Sequence, residues 1–186
     1  MSVIMKFVKK MNKYRLMKDK FILYKGKKLY RIRAIRDIMD EDGKYNRANQ
    51  GDIGGYVEGY HNLSQEGSCW IFYDAMAYGN ARVKDHAIID DYAEVYDNAL
   101  VSSNAEVRGC SKIYNNATVT DNAIVWDDTE IFGNAEVKGW AGVTGRSLIY
   151  ENAKLCDFVR VTLANTGNTI RKELKGNIVL KDEIEI

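Results

Sequence analysis

The 186-residue sequence predicts an all-β fold, a triangular parallel β-solenoid, and two periodicities carry that prediction. From Val57 to Ala164 the chain reads in sixes of the form Ala-x-Val-x-x-Asn, as in Ala81-Arg82-Val83, Ala93-Glu94-Val95, Ala117-Thr118-Val119 and Ala135-Glu136-Val137. Counted from Val57 without an insertion or deletion, the third residue of every six is Val or Ile except at Gly59, Gln65, Ala77 and Leu155. On a second level, the sixth residue of every third six is Asn62, Asn80, Asn98, Asn116, Asn134 and Asn152, a spacing of eighteen. Two residues before each stands an aromatic: Tyr60, Tyr78, Tyr96, Tyr114, Phe132 and Tyr150.

Three sixes therefore make one turn, and the block predicts about six coils. Each side of a coil is a short strand whose first and third residues point inward and whose second and fourth point outward. Alanine at the first position leaves room near a corner, and β-branched Val or Ile at the third fills a narrow interior. Gly79-Asn80, Asp97-Asn98, Asp121-Asn122 and Gly133-Asn134 suit the corners, because Gly, Asn and Asp tolerate positive φ. Identical residues eighteen apart then stack at the strand spacing of about 4.8 Å, giving an amide ladder and an aromatic column. An amphipathic helix would repeat its apolar residues at three and four instead. The aromatic column on the outside, with Trp126 and Trp140 as isolated anchors, is the candidate contact surface, since exposed apolar stripes mark partner surfaces.

Ahead of the coils, residues 1–56 read as a basic cap. Phe21 to Tyr24, a Lys25-Gly26-Lys27 turn and Leu29 to Ile35 predict a hairpin that closes the open end of the solenoid. Asp40-Glu41-Asp42-Gly43 reads as a loop. After Ala164 the six-residue repeat stops. Residues 165–186 are expected to cap the last coil or cross to a neighbouring subunit, with one or two helical turns at Thr169 to Lys175 and strands at Ile178 to Leu180 and Glu183 to Ile186.

The formal charge is +1, but residues 1–47 hold 15 Lys or Arg against 5 Asp or Glu. That asymmetry fits docking on the chain's own acidic body or on an acidic partner better than a nucleic-acid contact, because the basic residues are spread through the hairpin without interleaved base-stacking aromatics. Lys6, Lys9, Lys10, Lys13, Arg15, Lys18 and Lys20 interrupt every apolar run near the amino end, so neither a membrane segment nor a secretory signal is read there, and a cytoplasmic location is expected. Cys69, Cys110 and Cys156 are odd in number and widely spaced, which argues against a disulfide framework or a zinc finger. Cys69 takes an inward first position, so packing is its expected role.

Between cap and coils lie Gly51-Asp52-Ile53-Gly54-Gly55-Tyr56-Val57-Glu58, Asn62-Leu63-Ser64-Gln65-Glu66-Gly67 and Cys69-Trp70. Together with Leu29-Tyr30-Arg31-Ile32-Arg33-Ala34 and the Tyr78-Gly79-Asn80-Ala81 type of repeat, these resemble bacterial and prophage hexapeptide-repeat-like β-helix proteins of uncharacterised function, often labelled transferases. The resemblance covers roughly residues 20–164. It implies a single-stranded left-handed parallel β-helix, and its prophage company implies a small phage-encoded binder that blocks a host component such as a defence factor, acting in the host cytoplasm.

The same architecture resembles that of hexapeptide acyltransferases, which work with a histidine at a subunit interface and a loop leaving one coil. This chain offers only His61 and His86, and no loop leaves its coils. The two histidines fall short of the three that a zinc site of the γ-carbonic anhydrase kind needs, and no phosphate-binding loop signature occurs, so no metal or cofactor is expected. The sequence thus predicts a non-enzymatic scaffold, a homo-oligomer such as a dimer or trimer, that binds a protein partner. Acyl transfer is the first alternative and nucleic-acid binding through the cap the second.

Overall fold

The computed structural model describes residues 12–163 and, beyond them, the strands Thr169–Ile170, Glu173–Leu174 and Val179–Lys181. From Trp70 onward the chain winds in coils of three two- to four-residue strands. The strands stack into three parallel sheets, and the register fixes the period: Glu94 pairs with Lys112 and Lys112 with Glu130, Leu100 with Thr118, Glu106 with Ile124. The first face carries Met76–Ala77, Glu94–Val95, Lys112–Ile113, Glu130–Ile131 and Leu148–Ile149; the second begins with Arg82–Val83 and the third with Trp70–Ile71. The result is a β-solenoid of about six turns with eighteen-residue spacing.

The interior follows the six-residue rule. Ala75, Ala81, Ala87, Ala93, Ala99 and Ala105 are buried at the first position, and Val83, Ile89, Val95, Val101, Val107 and Ile113 at the third. Where Ser111, Thr129 and Ser147 replace Ala, each hydroxyl is fully buried and donates to a corner carbonyl, that of Asp127, Trp126 and Thr144 respectively. A buried hydroxyl without such a partner would be costly.

Every sixth residue from Gly67 to Asp157 has a positive φ, for example Gly79 at 66°, Asp85 at 60°, Asp97 at 56° and Gly139 at 71°. These are the corners, and the left-handed conformation explains their Gly, Asp and Asn composition. The corner carboxylates also cap the amide of the corner one coil later. Ser103 N donates to Asp85 Oδ2 at 3.2 Å, Gly109 N to Asp91 at 3.1 Å, Asn115 N to Asp97 at 3.2 Å and Gly139 N to Asp121 at 3.0 Å. Exposed amides that no strand ladder reaches are thereby satisfied.

The first coil departs from the uninterrupted count. Tyr56 and Val57 pair with Met76 and Ala77, and Leu63 bridges to Val83, a separation of twenty, whereas Trp70 and Ile71 pair with Ile88 and Ile89 at eighteen. The two extra residues fall at the Ser64 to Gly67 corner. The unmatched third positions Gly59 and Gln65 are the trace of this slip: Val57 and Leu63, two residues earlier, are the inward side chains, both fully buried.

The hairpin forms as expected. β1 (Tyr14–Tyr24) and β2 (Lys27–Ala34) are antiparallel across a Lys25-Gly26 turn with φ of 47° and 76°, a pair of positive values suited to a two-residue hairpin loop. β3 (Ile38–Met39) and β4 (Asn46–Ala48) make a small ribbon, and β5 (Ile53–Val57) is antiparallel to β2 and parallel to the first coil strand. The hairpin therefore extends the first face of the solenoid while its base, Lys13 and Tyr14, plugs the end. At the other end the expected helical turns are replaced by strands. Thr169–Ile170, Glu173–Leu174 and Val179–Lys181 continue the three sheets in parallel, with separations of twenty-one, nineteen and nineteen instead of eighteen. The expected strand at Glu183 to Ile186 lies outside the described residues. Among the described residues no helix is long and apolar enough to cross a membrane.

Candidate functional site: the aromatic face

The outward residues of the first face build the site. Tyr78, Tyr96, Tyr114, Phe132 and Tyr150 stack ring on ring, with centroids 5.1, 4.9, 4.9 and 4.9 Å apart and interplanar angles of 2–4°. Successive coils hold the rings in one row, because each occupies the same outward position after a buried Ala or β-branched residue. Tyr60 does not belong to the column: the two-residue slip in the first coil moves it out of register, and it lies against Tyr14 at 5.7 Å, half exposed. Asn62 leaves its ladder for the same reason. It is fully buried, accepts from Gly59 N and donates to the carbonyls of Gly79 and Ala81. The remaining amides, Asn80, Asn98, Asn116, Asn134 and Asn152, form the expected ladder along the adjacent corner, each donating to the next at 3.1–3.2 Å.

The column is unevenly covered. The hairpin tip folds over its first ring, so Tyr78 is buried, with Tyr24 edge-on to it at 5.9 Å. The rings from Tyr96 to Tyr150 stay partly open. Beneath the tip, Glu94 collects three donors: Tyr78 Oη at 2.7 Å, Tyr24 Oη at 2.8 Å and Lys25 Nζ at 3.1 Å. Burial opposes its ionisation, but the hydrogen bonds from Tyr78, Tyr24 and Lys25 outweigh that and hold the carboxyl below its ordinary range. Burial, followed by the Glu94 contact, pushes the Tyr78 phenol well up. The Lys25 ammonium also lies 4.9 Å from the centre of the Tyr96 ring, a cation–π contact. Two coils on, Tyr114 Oη donates to Glu130 Oε2 at 3.1 Å and Lys112 Nζ reaches Oε1 at 3.4 Å. Burial, then the Glu130 charge, raises Tyr114 to about 12.

The other predicted residues stand apart from this face. Trp126 and Trp140 are about half exposed, Trp126 directly after the third-face strand Ile124–Val125 and Trp140 ahead of the next one, Gly142–Gly145. His61 is exposed, with Nε2 2.8 Å from the Gly79 carbonyl. His86 shares a 2.9 Å hydrogen bond with Ser68 and lies 3.8 Å from the exposed carboxylate of Glu41. This grouping resembles a nucleophile triad in composition only. Ser68 is only 3 % exposed, which closes its hydroxyl to a substrate, and the carboxylate is beyond hydrogen-bond distance. Among the described residues no cluster of three metal-ligating side chains occurs.

The sequence suggested that the basic cap docks on the acidic body but named no individual pair. Lys25, Lys27 and Arg31 of the basic hairpin pair with Glu94, Glu58 and Asp74 of the body at 3.1, 2.9 and 2.5 Å. Arg31 also lies over the Tyr56 ring and donates to the Tyr73 carbonyl. Lys13 is fully buried, and its ammonium donates to the carbonyls of Glu66 and Cys69 and to the Cys69 thiol. The charge split between the first 47 residues and the rest was the signal for the hairpin pairs. Nothing local marks Lys13, whose partners are more than fifty residues away.

In comparison with known proteins, a family described as YdcK beta solenoid repeat matches residues 111–126, which is most of one coil, from the first-face strand at Lys112 through Trp126. No curated protein sequence matches the chain.

Proposed function

We propose that this β-solenoid is a non-enzymatic binding scaffold that works through protein–protein contacts on its aromatic face. The observation that carries this reading is the row Tyr96, Tyr114, Phe132 and Tyr150, flat, regularly spaced and still partly open to solvent. Rigid aromatics lose little conformational entropy on docking and dominate interface energetics. The corners turn at every sixth residue from Gly67 to Asp157 with no inserted loop, and both histidines have structural partners. That combination favours a surface binder over acyl transfer. The pairing of Lys25, Lys27 and Arg31 with body carboxylates likewise favours an internal role for the basic cap over nucleic-acid binding.

On this reading the protein assembles as a homo-oligomer or docks a partner along the first face. The narrower role, a phage-encoded protein that blocks a host defence factor in the host cytoplasm, rests on the resemblance to prophage β-helix proteins alone.

The test replaces Tyr114 and Phe132 together by Ser, with the pair Trp126→Ser and Trp140→Ser as a control on another surface. Sedimentation velocity and co-purification from the native host should show loss of assembly or of the partner for the first pair only. Circular dichroism checks that the coils persist. Association unchanged in the first pair would remove the aromatic face as the interface.

A further inference from the structure

The first face contains the same arrangement twice, two coils apart. At the first, Tyr78, Glu94 and Tyr96 receive the Lys25 ammonium, which lies 3.1 Å from Tyr78 Oη, 3.1 Å from Glu94 Oε2 and 4.9 Å from the Tyr96 ring centre. Thirty-six residues on, Tyr114, Glu130 and Phe132 occupy equivalent positions, since the parallel register carries Glu94 through Lys112 to Glu130 and the ring column carries Tyr78 to Tyr114 and Tyr96 to Phe132. The internal hydrogen bond is repeated as well: Tyr78 donates to Glu94 Oε2 and Tyr114 to Glu130 Oε2, both across sixteen residues.

What differs is coverage. The hairpin ends at Lys25-Gly26 over the first arrangement and does not reach the second. The Glu94 side chain is 11 % exposed, the Glu130 side chain 32 %. Among the described residues no ammonium or guanidinium lies over the Phe132 ring. Lys112 takes Glu130 Oε1, the oxygen whose counterpart in Glu94 accepts the Tyr24 hydroxyl, and so leaves Oε2 as the oxygen that Lys25 reaches in the first arrangement. The intervening coil lacks the arrangement, because Lys112 stands where a carboxylate is needed beside Tyr96.

We infer that Tyr114, Glu130 and Phe132 form a receptor for a lysine side chain carried on a turn of a partner protein, bound as the chain's own Lys25 is bound one site earlier. The ammonium lies on the Phe132 ring and donates to Glu130 Oε2 and Tyr114 Oη. A negative carboxylate and a ring face together select a cation, and an aliphatic stem on the flanking rings buries its methylenes. The inference rests on the aromatic face being the docking surface and names the chemistry of what docks there.

The experiment uses the full chain and a disulfide-closed peptide copying the hairpin tip, Phe21 to Lys28. Ring chemical shifts of Phe132 and Tyr114 are followed by NMR during titration. Saturable shifts at these two rings are expected, with affinity falling roughly tenfold for Glu130→Gln, and by a similar factor for a peptide with Lys25→Met, as loss of a charge-assisted hydrogen bond requires. The peptide variant leaves the protein untouched, so a folding defect in E130Q does not confuse the result. No saturable shift, or equal binding by the Lys25→Met peptide, overturns the inference. If the Tyr114 and Phe132 double variant loses its assembly while the peptide fails to bind, the docking face stands and the lysine receptor falls.

Discussion

The ammonium of Lys13 lies 3.0 Å from the thiol of Cys69, with both side chains sealed from solvent at the amino end of the solenoid. A lysine at the base of the hairpin thus closes the first coil from within, and its charge is spread over carbonyls of the Glu66 to Cys69 corner. Burial lowers the Lys13 pKa in spite of the thiol beside it, and burial raises that of Cys69 in spite of the ammonium. Cys69 is therefore not poised for nucleophilic chemistry at neutral pH, because the thiolate is the reactive form.

In the native protein, therefore, a thiol-exchange reagent such as DTNB is expected to react with one cysteine of three. Cys110 is exposed, whereas Cys69 and Cys156 are buried. Replacing Lys13 by Ala leaves the Glu66 and Cys69 carbonyls without their donor, at a cost of about 1–3 kcal/mol. Its thermal midpoint should drop by about 2–4 °C per kcal/mol, and Cys69 should become reactive at lower denaturant. Rapid native labelling of Cys69 in the unaltered protein would contradict the sealed geometry.

Deleting Gln65 and Glu66 is expected to loosen the cap while sparing the coils. Gln65 accepts from the amides of Lys13 and Tyr14 at 2.9 and 3.3 Å, so the two extra corner residues are what fasten the start of β1. Hydrogen exchange should speed up along Tyr14 to Met17 and change little at Val101, Val119 and Val137. Retained protection in β1 would place the fastening elsewhere.

Acid should release the hairpin tip before the coils. Glu94 has a folded pKa below its unfolded value, so its contribution is fully present above the ordinary glutamate range and is lost as pH falls through the depressed folded value. The contacts of Tyr24 and Lys25 with Glu94 should vanish in that window, read from Tyr24 ring shifts. Glu94→Gln should abolish the transition; an identical transition in the variant would mean another carboxylate governs it.

Alkali acts on the opposite side. Tyr78, Tyr96 and Tyr114 have folded pKa values raised chiefly by burial, Tyr114 to about 12. Stability from these rings is intact below the ordinary tyrosine value near 10 and drains away as pH climbs toward 12, since the unfolded chain loses the proton first. Tyrosinate absorbance should lag in these residues until unfolding. Replacing Tyr114 by Phe should remove one late-titrating group without shifting the melt at neutral pH by more than about 1 kcal/mol, the worth of one hydrogen bond.

The coil architecture was legible because its determinants are local and repeated: a buried Ala or Val at fixed positions and a left-handed corner every six residues leave their mark at each turn, and Asn80 to Asn152 and Tyr78 to Tyr150 stack as the spacing of eighteen requires. The first coil was misread, because the count ran from Val57 without a slip although its exceptions betray one. Gly59 and Gln65, out of place at an inward position, marked the slip that removes Tyr60 and Asn62 from their columns. Thr169–Ile170 and Glu173–Leu174 were read as helical turns because separations of twenty-one and nineteen erase the six-residue count even though the sheets continue, whereas the strand expected at Ile178 to Leu180 is present as Val179–Lys181. For the candidate site, the ring column could be read from the sequence but its coverage could not. That depends on where the tip of β1 lands, and the contacts between Lys25 and Glu94 join residues with no shared period.

The corner carboxylates carry one more implication. Asp85, Asp91, Asp97 and Asp121 all reach in the same sense, from a finished coil toward an amide of the one that follows it in sequence. A nascent chain leaving the ribosome would find each acceptor already in place when the matching donor emerges, so the winding order and the synthesis order coincide, and the plug at Lys13 and Tyr14 is made before the coils it closes.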